Sequence, residues 1–366
     1  MNLLIKSAKI VDSESKHNNK VVDILIEKGL ISQISENINP NTLKGKKIKE
    51  LSLDNLHISP GWFDSSVSLG EPGYEERETI ENGLRVAGLS GFTSILLNPL
   101  TDPVIDSQAD IKFLQGKASG HAVKLYPSGA LTAKSEGKEL AELYDMSTAG
   151  AKAFYDYKKP ISDSNTMKMA LQYTAGFEAI PIVFPYMEEL SRNGVMNEGP
   201  SSTVIGLKGI PAISEELRVN RDLTLLEYTS GRIHFATIST SRSVELIREA
   251  KSKGLNVSCS VAIHNLIFTD EKLDSFNSNF KVLPPLRTED DRLALIEGLK
   301  DGTIDMATSD HNPLNIELKK VEFDHAEFGT IGLESAFGAL RTIFPAKKCV
   351  VYLTKGKELF GINPSN

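Results

Sequence analysis

At 366 residues, with 40% hydrophobic and 24% charged side chains, the chain has ordinary globular composition and room for one large domain beside a smaller one. Its 41 Lys and Arg against 48 Asp and Glu leave a net charge of −7, which argues against a nucleic-acid binder. No apolar run is long enough for a membrane span and the opening MNLLIKSAKIVDSESK has no signal-peptide core, so a soluble, cytoplasmic protein is expected.

Residues 1–57 read as short strands. VVDILIEKGLISQIS places two apolar runs around Glu27-Lys28-Gly29, a hairpin signal, and NPNTLKGKKIKE is a polar connection. From residue 58 the pattern changes. Apolar strand candidates at 58–64, 92–98, 122–127, 150–155, 180–184, 232–238, 256–262 and 304–309 alternate with helix-period stretches such as ERETIENGLRVAGLS and EDDRLALIEGLKDG. Eight strands with intervening helices predict an α/β fold, a (β/α)8 barrel over 58–345, whose functional residues would lie just after each strand. Cys259 and Cys349 have no metal-like spacing and are read as packing residues of a reduced compartment.

The stretch ISPGWFDSSVSLGEPG, residues 58–73, is the most informative in the chain. Ser66 and Ser68 are two apart, so on an extended segment both side chains leave one face, where a metal enzyme would set two ligands. The segment resembles the first barrel strand of the dihydroorotases, in the cyclic amidohydrolase superfamily. Pro60, Gly61, Trp62, Phe63, Asp64, Pro72 and Gly73 keep that family's frame. Further matches are AFYDYK at the fourth strand, KVLPPLRTEDDR, and the run through SDHNP to FGTIGLESAF. The resemblance implies an amidohydrolase-type TIM barrel beside a small β-sandwich built in part from residues 1–57, with 346–366 starting an incomplete C-terminal return to that sandwich.

It also implies which positions should carry chemistry. Four zinc-binding histidines of the family fall on Ser66, Ser68, Pro185 and Thr237, and the arginine and two asparagines for the substrate fall on Gly70, Leu100 and Leu283. Asp310 stands at the catalytic aspartate and His264 at a substrate histidine. Asp156 is the residual carboxylate of the fourth-strand turn, in which Tyr157 and Lys158 replace Asp and Gly. Lys124, in the third strand, is poorly placed for the carboxylated lysine that bridges two metals in some members.

A catalytic zinc needs about three protein ligands, and hydroxyls or a proline do not supply them. The expectation is therefore a protein of pyrimidine biosynthesis that keeps the barrel, binds no metal cofactor and has lost catalysis. Inactive homologues of this family are structural partners of aspartate transcarbamoylase, which implies that partner and a homodimer. Two rivals remain. Asp156, His264, Asp310 and His311, with His325 nearby in sequence, would converge on a metal in a rearranged but working cyclic amidohydrolase. Alternatively, a pocket lined by Leu100, Leu283 and Leu314 would hold an apolar or neutral ligand.

Overall fold

The computed structural model describes residues 2–39, 47–177 and 179–362. Most of the polar connection expected at 39–50 lies outside these residues, as do the last four positions of the chain.

The N-terminal segment forms one five-stranded sheet from β1 (Asn2–Ile10), β2 (Val21–Glu27), β3 (Leu30–Ser35), β4 (Ile48–Ser52) and β5 (His57–Ile58), in the order β3-β2-β1-β4 with β5 also on β1. The hairpin read at Lys28-Gly29 is present: Glu27 pairs with Leu30, and both turn residues adopt positive φ, +53° and +84°. Such a two-residue turn matches the twist of the strands it joins.

Eight parallel strands follow: β6 (Trp62–Val67), β7 (Phe92–Leu97), β8 (Lys124–Gly129), β9 (Ala153–Tyr155), β10 (Pro181–Val183), β13 (Ile233–Phe235), β14 (Val257–Ala262) and β15 (Met306–Thr308). Between β10 and β13, a two-stranded ribbon of β11 (Met196–Asn197) and β12 (Gly209–Ile210) projects from the ring. Ile58, expected to open the first barrel strand, instead pairs with Ile10 in the N-terminal sheet. Pro60-Gly61 interrupts the apolar run, so the barrel strand starts only at Trp62.

Side chains alternate across the strand ring. Ile95, Leu97, Phe154, Val183, Phe235 and Cys259 face outward into the layer beneath the helices. Phe63, Leu96, Tyr155, Ile182 and Met306 face inward and fill the barrel, closed from below by Phe360 and Ile362. The helices carry ordinary end signals. In Glu289–Asp301, Thr288 accepts from the Asp291 amide at 3.3 Å, three acidic residues occupy the first turn, and Gly302 leaves at φ +83°.

The ring closes through a carboxylate. Asp64, on β6, accepts from the amides of Ser66 at 3.0 Å and Ser309 at 2.9 Å and from the hydroxyl of Thr308. The Ser68 amide also donates to the His311 carbonyl at 2.7 Å. First and last strands are thus tied by hydrogen bonds to a residue that is fully buried, and burial raises the Asp64 pKa.

Residues 346–362, the stretch expected to begin a return to the sandwich, form helices Ala346–Thr354 and Gly356–Leu359 that pack against β6 and β15. No helix among the described residues is long and apolar enough to cross a membrane.

Because Phe63 sits 2% exposed inside the ring, Phe63→Ala should cost about 3–5 kcal/mol of stability by denaturant titration. A loss below about 1 kcal/mol would show that the barrel interior is not close-packed.

Candidate active site at the barrel mouth

The C-terminal ends of the strands converge on Asp310, which follows β15 and adopts φ +49°. Its carboxylate is 2% exposed and both oxygens are engaged. Oδ1 accepts from Ser66 Oγ at 3.1 Å, and Oδ2 accepts from Lys158 Nζ at 2.8 Å. The lysine side chain is 12% exposed and its ammonium also lies 5.2 Å from the centre of the Tyr157 ring. Lys158 holds φ +52°, a left-handed conformation that suits the glycine the resemblance implies at this position. The rim therefore carries its own buried cation.

Ser66 and Ser68 share a face: Asn98 Nδ2 donates to both hydroxyls, at 3.2 and 3.1 Å. Asn98 Oδ1, Thr237 Oγ1 and His264 Nε2 are buried polar atoms with no protein partner. Burial holds the His264 imidazole down at about 4, so it is neutral near pH 7. Asp156 turns away from this group. It accepts from the amides of Leu131 at 2.9 Å and Thr132 at 3.0 Å, and from the Thr132 hydroxyl, anchoring the loop after β8.

His311 does not join Asp310 either. Its Nδ1 accepts from the Gly332 amide at 3.2 Å, which leaves Nε2 as the donor to Glu78 at 2.6 Å. His325 is exposed on the following loop. The convergence of Asp156, His264, Asp310 and His311 weighed above is thus absent, and among the described residues no three His, Cys, Asp or Glu side chains are grouped so as to hold a metal. Pro185, buried after β10, offers no side-chain donor. The donor set at this mouth does not fit zinc, which takes imidazole, thiolate or carboxylate ligands.

The three positions that the resemblance assigns to the substrate are closed in two different ways. A Cβ at Gly70 would lie 1.7 Å from the Tyr74 carbonyl oxygen, so the turn leaves no space for any side chain. Leu100 and Leu283 pack onto the apolar cluster inside the ring, capping it from above. Leu314 lies apart, against Gly329 in the loop after β15. Lys124 begins β8, at the opposite end of the barrel from the mouth.

The interactions at Lys158 and Asn98 were not singled out from the sequence. Asn98, directly after the β7 run, and Lys158, two past Asp156, both occupy strand-end positions, which is the one signal that would have found them. A second buried network also escaped notice. Arg287 donates from Nη1 to Asn197 Oδ1 at 2.8 Å and to the Ile210 carbonyl at 2.7 Å, joining the Pro-Pro-Leu-Arg segment to the ribbon.

A family model described as dihydro-orotase-like matches residues 56–243. The dihydroorotase of Acetivibrio thermocellus is 41% identical over 369 residues, covering 99% of this chain and 84% of that protein. That of Pelotomaculum thermopropionicum is 44% identical over 343 residues, covering 93% and 79%. The chain belongs to the dihydroorotase-like family. Among solved structures, an L-hydantoinase (dihydropyrimidinase) from Arthrobacter aurescens superposes with a TM-score of 0.83 at 21% identity, over 99% of this chain and 83% of that one. A D-hydantoinase (dihydropyrimidinase) from Thermus sp. gives 0.80 at 21%, over 99% and 82%. These two likenesses establish the fold, a parallel-stranded barrel beside a small sheet; the dihydroorotase-like membership rests on the sequence matches.

Within this dihydroorotase-like barrel the ion pair is testable. Lys158→Met should destabilise by about 3–5 kcal/mol at pH 8, because Asp310 is left buried and charged. The double variant Lys158→Met with Asp310→Asn should recover part of that loss; no recovery in denaturant titrations would mean the pair is not coupled.

The pH dependence has a definite sign. His264, at about 4, and His234, at about 3 beneath the barrel core, are both held by burial below the ordinary 6.5. The unfolded chain takes up these protons first, so this stability is fully present above pH 6.5 and is lost as pH falls toward 4. Between pH 6 and 5 the His264→Gln variant should lose about 1 kcal/mol less per pH unit than the natural chain; parallel profiles would refute the assignment.

Proposed function

We propose that this chain is a dihydroorotase-like protein of pyrimidine biosynthesis that has abandoned metal-dependent hydrolysis and acts as a structural or regulatory partner. The observation that carries this reading is the Lys158–Asp310 pair, 2.8 Å apart and nearly out of solvent. A working site of this family needs Asp310 free to take a proton from a metal-bound water and return it to the leaving nitrogen. Here one carboxylate oxygen is neutralised by an ammonium and the other accepts from Ser66. A divalent ion approaching Asp310 would meet a fixed positive charge, neutral oxygens from Ser66, Ser68, Thr237 and Asn98, and the single imidazole of His264. No metal cofactor belongs to this reading.

Loss of substrate recognition supports it independently. A buried carboxylate or ring amide left without partners costs about 1–3 kcal/mol for each unpaired group. The positions that would meet dihydroorotate are a sterically closed glycine, Gly70, and two leucines, Leu100 and Leu283, turned into the core. The partner role, with aspartate transcarbamoylase as partner and a homodimer as the assembly, follows from the family resemblance and a barrel kept intact around an idle centre.

Elemental analysis of the purified protein should find zinc well below one equivalent, with no dihydroorotate turnover above background. Stoichiometric zinc together with turnover would sink the proposal and favour the alternative, an active cyclic amidohydrolase with a rearranged site. Pull-down from native cells at low salt should recover the transcarbamoylase. Its absence would remove the partner role while leaving the metal question where the elemental analysis put it.

A further inference from the structure

The end of the barrel opposite the mouth holds a cavity of about 540 Å³ between the strand starts, the N-terminal sheet and the last two helices. This volume lies within the range of small-molecule sites. Its wall is set by strand register. Ser94 and Lys124 are direct neighbours on β7 and β8, and Tyr126 lies two residues beyond Lys124 on the same face. Lys357, from helix Gly356–Leu359, enters from below.

Two features of this wall point to a ligand. Ser94 is 3% exposed and its hydroxyl has no partner in the protein. The ammonium of Lys357 is held by neutral oxygens alone, the Gly61 carbonyl at 2.9 Å and Thr93 Oγ1 at 3.3 Å. Burial and the neighbouring charge of Lys124 together push its pKa down. Lys124, Lys347 and Lys355 line the same space. The carboxylates that also border it, Asp12, Glu14 and Glu358, form no ion pair with any of these lysines; Asp12 instead accepts from the Glu14 amide at 3.0 Å. Four lysines and three carboxylates therefore border the cavity, and none of these lysines is held in an ion pair with those carboxylates.

We propose that this lower cavity is a binding site for a small organic anion, its phosphate or carboxylate head held between Lys124, Lys357 and the Ser94 hydroxyl. Tyr126, Val350 and Ile362 supply an apolar wall for the remainder of the molecule. An oxyanion there relieves the repulsion between two ammonium groups and gives the buried hydroxyl an acceptor. The site is remote from Asp310 and stands whether or not the mouth binds metal.

Calorimetric titration of the full chain with inorganic phosphate, and separately with succinate, at fixed ionic strength tests this. Saturable binding of either is expected, phosphate alone pointing to a phosphorylated ligand and succinate alone to a carboxylate one. Lys124→Met, at an exposed strand end and free of ion pairs, should weaken binding about tenfold without loss of fold. Lys357→Met should weaken it further. No saturable heat with either anion up to about 20 mM, where a millimolar site would be filled, overturns the proposal. So does binding that both variants leave unchanged.

Discussion

A cylinder of parallel strands holds only if its first and last members are joined, and here a buried carboxylate does much of that work. Asp64 accepts from Ser66 on its own strand and from Thr308 and Ser309 across the seam. Taking a carboxyl group this far from water is costly unless its oxygens are hydrogen-bonded, and these are. The position of Ser66, Ser68 and Asp310 follows from this seam, because all three lie within a few residues of it. Asp156 does similar work for the loop after β8, and His311 with Glu78 for the loop after β6. These residues serve the shape of the barrel.

In the mouth above that seam, Lys158 balances the charge of Asp310 directly. A monovalent ammonium on a long side chain satisfies a buried carboxylate but cannot lower the pKa of a water molecule as a divalent metal does. The left-handed backbone at Lys158, Thr237 and Asp310 costs free energy at each residue, and the packed surroundings hold all three in place. Beneath them Leu100, Leu283 and Tyr157 continue the apolar filling of the cylinder upward, so the mouth is an extension of the core.

The alternation of strands and helices was legible in the sequence because parallel barrel strands are buried on both faces and bounded by Gly, Pro and capping residues. Seven of the eight predicted barrel strands begin within three residues of the observed start. The first does not, since periodicity cannot tell that Ile58 belongs to another sheet. The two helices at 346–359 stand where the family pattern leads to strands, although Cys349, Val350 and Leu353 have the apolar spacing of a helix. At the site, the family resemblance pointed to strand-end positions, and the structure brings Ser66, Ser68 and Asp310 together at the mouth. The sequence did not reveal that Lys158 reaches Asp310, a contact between residues 152 apart that no local spacing encodes. Nor did it reveal that Asp156 turns into a loop, because a strand-end aspartate reads the same whether it faces a ligand or a backbone amide.

The turn at Gly70 restricts what the position accepts. With the Tyr74 carbonyl folded against its α-carbon, no side chain fits there until the whole turn has moved, and that movement gains nothing by itself. Position 70 and the segment that carries Tyr74 are therefore bound to vary together: a bulkier residue at the first is tolerated only after the second has been re-routed.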